Sequence, residues 1–345
     1  MNTKINKYQL LTLLFIHLVS IQMDAQYSPY FQNYSLSEYN AGNQNWGISK
    51  GEDGKIYAAN NNGLIVYDGL KWNLHEIPNK TTIRSVFAHH DRIYTGSYEE
   101  FGYWKKNQKG KLGYHSLSHL FDKNEFLNED FWQIMAFEDA IVFRSFLNIY
   151  IYEDNKISNV KPPSTVLSCD VVNGVLYIST LKHGIFTLQN NSLKPFFFNE
   201  TMFNAKVVSI TEYDSNLLIT TSLKGCFILE KGKFKPWDVE INDILKEQQL
   251  NRFTELKNGN MVLGTIKNGV YITDHDGNII NHISKENGLV NNTILDQHVT
   301  ENQELWLGLD NGIASVDLNS PHSFYNDVSG KLGAVYDVIS FKGTI

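Results

Sequence analysis

The 345-residue chain is 42% apolar and 13% aromatic and carries a formal net charge of −7. That balance supports a large buried core, excludes a disordered or low-complexity chain, and argues against electrostatic binding of nucleic acid.

In chain order, the N-terminus reads first as a signal peptide over residues 1–25. Lys4 and Lys7 give a positive start, LLTLLFIHLVSI (10–21) gives an apolar centre, and Ala25 before Gln26 gives a cleavage point. The apolar run is too short to span a bilayer, which needs about 20 residues. Export to the periplasm follows as an expectation. The next stretch, YSPYFQNYS (27–35), precedes the first full unit and is expected to lend a strand to the last one.

From there the chain repeats one figure seven times. An apolar strand ending on a small residue is followed by a turn and a second strand. The copies begin KIYAANNNGLIVYD (55–68) and RIYTGSYEEFGYW (92–104), and end NMVLGTIKNGVYIT (260–273) and ELWLGLDNGIASVD (304–317). Their turn residues are Gly63, Glu100, Asn148, Gly184, Gly225, Gly269 and Gly312, spaced 37, 48, 36, 41, 44 and 43 apart. A period of about 40–45 residues is that of a propeller blade.

Each copy has a bulky second position (Tyr57, Tyr94, Val142, Tyr177, Leu218, Val262, Trp306). Two positions on comes a small one, except that the third copy carries Arg144. The turn glycines, and Asn148 with them, suit a backbone with φ above zero. Upstream strands are expected at 45–49, 83–89, 131–137, 166–172, 206–213, 250–256 and 293–299. Downstream strands are clearest in KWNLHEI (71–77), KFKPWDV (233–239) and HSFYNDV (322–328). No helical period stands out between them. The prediction is an all-β chain: a β-propeller of about seven four-stranded blades over residues 26–334. Residues 335–345 read as the start of a further repeat, so the chain reads as a fragment of a longer protein.

The wording of KIYAANNNGLIVYDG, MVLGTIKNGVYITD and LWLGL followed by NGIASVD resembles the two-component regulator propeller repeat, over about residues 45–345. The resemblance implies a periplasmic sensor propeller. It would sit ahead of a triple-tyrosine β-sandwich, a membrane helix and either a LuxR-type helix-turn-helix or a histidine kinase, with self-association through the propeller. None of those modules lies in these residues. The implied role is ligand sensing or signal transmission without catalysis. An exported propeller hydrolase or lyase acting on polysaccharide, with Glu99 or Asp310 as carboxylates, and a protein-binding scaffold are the competing readings.

In a propeller, the loops joining second to third strands share a face with the between-blade connections and ring the channel, where ligands bind. Candidate ligand residues there are Tyr98, Glu99, Arg144, Phe146, Lys182, Lys224, Lys267 and Asp310, with Arg84 and Trp132 opening upstream strands on that face. Polar groups interleaved with rings suit a carbohydrate or another polar small molecule. Arg144 stands where other copies have small residues, so it must reach solvent, a ligand or a carboxylate, for which Glu99 or Glu100 is the expected partner. His115 and His119 read as a surface segment, not a metal site, and Cys169 and Cys226 as buried structural thiols. No catalytic, metal or cofactor motif is present in the sequence.

Overall fold

The computed structural model describes residues 28–121, 128–320 and 322–324. The expected signal peptide, the further repeat at 335–345 and residues 325–328 of the downstream strand HSFYNDV lie outside them. Seven four-stranded antiparallel sheets form a ring, a seven-bladed β-propeller. The innermost strands are Asn45–Lys50, Ile83–His89, Gln133–Phe137, Val166–Val172, Val207–Tyr213, Leu250–Glu255 and Ile294–Val299. These match the expected upstream strands to within two residues.

The core is divided among the blade interfaces, one apolar cluster in each. The bulky column explains this arrangement. Tyr57 packs into the cluster shared with blade 2, Tyr94 into that shared with blade 3, and Trp306 of blade 7 into that shared with blade 1. Side chains alternate across a strand, so a residue two positions from the bulky one points to the same face. There the next blade's inner strand comes close. A Cβ on Gly264 would lie 2.6 Å from Gln297 Oε1, and one on Gly308 2.6 Å from the carbonyl of Asn45. The small column is small because the wedge narrows onto its neighbour.

Ring closure uses the strand ahead of blade 1. Phe31–Tyr34 pairs antiparallel with Ile313–Asp317, in register Phe31 to Val316 and Tyr34 to Ile313, and completes blade 7. HSFYNDV is therefore not the fourth strand of that blade. Its Ser323–Phe324 pairs instead with Ser28–Pro29, a two-stranded ribbon beside the closing strand. Tyr34 is buried and stacks on Trp306 with ring centroids 5.6 Å apart.

Two sequence expectations need correction. A nine-residue helix, Glu240–Gln248, occupies the connection from blade 5 to blade 6 and buries Ile241 and Leu245 between those blades. Ile241, Ile244 and Leu245 do carry the i, i+3, i+4 spacing of an amphipathic helix, but over little more than one turn, too short a window to stand out as a period. Asn148 is also not left-handed. Its backbone N–H donates to Ser145 Oγ at 2.9 Å, and its amide donates to the buried Glu129 at 2.6 Å. At the corresponding turn of blade 2 the left-handed residue is Glu99 (φ 51°). Glu100 opens the third strand and accepts from Tyr114, Ser116 and Ser118. Cys169 and Cys226 are buried free thiols, as expected.

The candidate site at the channel mouth

Six of the seven inner strands carry a bulge at the same place. Registers skip one residue between Asn45 and Gly47, Ile83 and Ser85, Val166 and Ser168, Val207 and Ser209, Leu250 and Arg252, and Ile294 and Asp296. An unpaired extra residue bends the strand and re-aims its side chain. In blades 1 and 2 the extra residues are Trp46 and Arg84, and in blade 3 Trp132 immediately precedes the first paired residue, Gln133. Three adjacent blades thereby bring two indoles and a guanidinium together at the channel mouth.

The Arg84 guanidinium carbon lies 4.5 Å from the Trp46 ring centroid and 4.9 Å from that of Trp132. Each such contact contributes about 0.5–2 kcal/mol. Arg84 Nε also reaches Asp130 Oδ1 at 3.3 Å. The Trp46 indole N–H donates to Asn61 at 2.7 Å, and Phe146, 45% exposed, lies 5.3 Å from Trp132. Below this mouth runs a cavity of about 340 Å³ along the channel, lined in part by Trp46, Arg84, Trp132, Arg144, Asp170 and Arg252.

Arg144 does not pair with Glu99 or Glu100. Glu100 is saturated by its own blade's hydroxyls, and Glu99 accepts from the backbone of Asn128 at 2.7 Å. Arg144 instead donates through Nε to Gln133 Oε1 of its own blade at 3.1 Å and through Nη1 to the Val166 carbonyl of blade 4 at 3.3 Å. It is buried, and burial pulls its pKa down to about 10. Deeper in the channel, Arg252 Nε meets Asp296 Oδ1 at 2.7 Å.

Burial pushes the Asp170 carboxyl up to about 7, against the opposing pull of the Ser168 hydroxyl, which donates to it at 2.7 Å. Its folded pKa thus lies above the unfolded value near 3.9, so the native chain holds the proton more tightly between those values. The stability linked to that proton is fully present below about pH 4 and is lost as pH rises through about 7. This group alone is expected to make the chain about 2–3 kcal/mol more stable at pH 5 than at pH 8. Urea unfolding at the two pH values checks this, and Asp170→Asn should flatten the difference by gaining stability at pH 8.

The structure therefore brings Arg84, Trp132, Arg144 and Phe146 together. Tyr98 and Glu99 sit one loop away, with the Tyr98 hydroxyl donating to Asn128 at 3.0 Å. The remaining candidates lie around the rim in blades 4 to 7, the three lysines each bonded to the connection that precedes their own blade. Lys182 N–H donates to Ser164, Lys224 Nζ to the carbonyls of Thr201 and Phe203, and Lys267 Nζ to the Glu247 carbonyl at the end of the helix. Asp310 accepts from Gln44 at 2.7 Å. Sequence reading missed Trp46, Asp130, Asp170, Arg252 and Asp296. Trp46 was within reach, because it shares its column with Arg84. His115 stacks on Tyr103, and no cluster of metal ligands occurs among the described residues. Among them, too, no helix is long and apolar enough to cross a membrane.

Neither a family model nor a curated protein matches this chain. Solved structures do. The extracellular domain of the proposed hybrid two-component system BT4673 from B. thetaiotaomicron matches with a TM-score of 0.67 at 20% identity, over 85% of this chain and 40% of that one. That of BT3049 from the same organism matches with a TM-score of 0.65 at 16% identity, over 84% and 42%. Virginiamycin B lyase from Staphylococcus aureus matches with a TM-score of 0.62 at 12% identity, over 84% and 99%. The chain spans less than half the length of the two extracellular domains. At these identities what is shared is the fold, and the suspected resemblance to two-component regulator propellers is matched by propellers that form extracellular domains of such systems.

Proposed function

We propose that this chain is the ligand-sensing, signal-transmitting propeller of an exported, membrane-anchored transcriptional regulator, and that it is not itself a catalyst. The observation that carries the reading is the built channel mouth, where Trp46, Arg84, Trp132 and Phe146 present rings and charge over a cavity, in a fold shared with extracellular domains of two-component systems. Rings that stack on apolar faces, with polar groups beside them, suit a carbohydrate or another polar small molecule. The expected leader supports a periplasmic location.

Signalling then requires that the ligand bind two arrangements of the protein with different affinity, and self-association of propellers in the full-length protein supplies such arrangements. The lyase likeness extends to the fold alone. The carboxylates that an enzyme reading would use, Glu99 and Asp310, lie in blades 2 and 7 and are bonded to different partners, Asn128 and Gln44. The reading is tested by deleting the gene and comparing transcript profiles across carbon sources. A set of transcripts that stops responding to one source supports it. Unchanged profiles, or a tagged chain that stays in the cytoplasm, would sink it.

A further inference from the structure

Two channel arginines have carboxylates of their own: Arg84 has Asp130, and Arg252 has Asp296. Arg144 does not. It is only 7% exposed, yet among the described residues no carboxylate comes within 4.0 Å of it. Its two bonds go to neutral oxygens, Gln133 Oε1 and the Val166 carbonyl. The neighbouring Cys169 thiol is pushed up to about 12 by burial and stays neutral. Asp170, the acid that bears on Arg144, accepts from Ser168 rather than from the guanidinium. A buried guanidinium without a counter-charge destabilises the fold that keeps it.

The bonds used are those of Nε and Nη1, which leaves the Nη2 edge without a protein acceptor among the described residues. Its N–H groups remain open to a charge-assisted hydrogen bond with a carboxylate oxygen. Phe146 lies 5.7 Å from the guanidinium carbon, half-exposed, with Trp132 beyond it. Lys206, at the start of blade 5, bonds to Asn251 of the adjacent blade 6 at 3.1 Å and adds a second cation with no carboxylate partner among the described residues.

We propose that the channel mouth is a receptor site for a small organic acid, whose carboxylate seats on the free edge of Arg144 while its apolar face rests on Phe146 and Trp132. This deepens the sensing role proposed above and rests on it. The guanidinium is then a ligand-binding group held ready at a cost in stability.

The test titrates the purified chain with benzoate, glucuronate and acetate, with neutral benzamide and with inorganic sulfate, reading tryptophan emission and heat. Benzoate or glucuronate is expected to saturate, with benzamide at least tenfold weaker than benzoate and sulfate unable to displace the bound acid. Phe146→Ala, at a half-exposed site, should weaken the acid several-fold. Arg144→Met should abolish its binding while the unfolding midpoint stays level or rises. Gln133 keeps its two bonds to Cys169, at 2.6 and 3.1 Å, in that variant.

Failure of all three acids to saturate, equal binding of benzamide and benzoate, or displacement by sulfate would overturn the assignment. So would a midpoint that falls in Arg144→Met, since the charge would then be compensated within the protein. A neutral sugar that binds where the acids do not would remove the carboxylate and leave the sensor standing. The sensor itself falls only with an unchanged transcript profile or a cytoplasmic chain.

Discussion

A chain lacking residues 1–35 is expected to lose its cooperative unfolding transition and to associate in solution. The deletion removes Phe31–Tyr34 and leaves the Ile313–Asp317 strand as a bare edge, ready to pair with another copy. It also removes Tyr34 from an aromatic cluster with Trp306, Tyr67 and Trp72, and the side-chain amide of Asn33, which donates to the Gly288 carbonyl at 2.9 Å while its oxygen accepts from Val290. The single substitution Tyr34→Ala isolates the packing part of this effect. Truncating a buried aromatic costs about 3–5 kcal/mol, and the same drop is expected here by urea unfolding. A truncated chain that remains monomeric and unfolds in one sharp transition would show that the ring does not depend on this strand.

Gly269→Ala is the second large effect. Gly269 turns from the second to the third strand of blade 6 with φ 70°, a region that costs an L-residue about 1–3 kcal/mol. A Cβ there would also run into the backbone carbonyl oxygen of Ile283 on the outer strand of the same blade. The turn is pinned besides by the Gly269 N–H donating to the Asn292 carbonyl at 2.9 Å, and by Thr265 Oγ1 donating to the Gly269 carbonyl at 2.8 Å. The combined loss is expected to exceed about 3 kcal/mol. Gly54→Ala provides the contrast. That glycine also has positive φ, 78°, but its Cβ would meet open space, so only the backbone cost applies. Equal losses in the two variants would show that the clash with Ile283 relaxes freely.

Most of the fold was legible because a propeller repeats its physics. Each blade must bury a bulky residue against the next one and narrow two positions later, so Tyr57 and Ala59, or Trp306 and Gly308, mark the same wedge in every copy but the third. The closing strand was legible for a different reason: YSPYFQNYS precedes the first full unit and belongs to no repeat of its own. The candidate site was only half legible. Arg144 stood out as a charge in a small column, and Arg84 and Trp132 as large residues opening inner strands. Trp46 opens blade 1 in the same column as Arg84 and carried the same signal, but that a bulge turns the two side chains toward one another is not something alternation reveals. Arg144's partner was misjudged because Glu100 had already been taken by three hydroxyls of its own blade. Asp170 and Asp296 approach the channel arginines through ring geometry, and sequence spacing carries no trace of that.

The central claim is that the mouth built by Trp46, Arg84, Trp132, Arg144 and Phe146 is where this protein meets its ligand. The most direct measurement is a thermal-shift screen of small polar metabolites, acidic and neutral, against the wild-type chain and the Trp132→Ala and Phe146→Ala variants. Compounds that raise the wild-type midpoint are expected to lose that effect in both variants. Stabilisation that persists undiminished in the variants, or a screen in which no compound stabilises the wild-type chain, would contradict it.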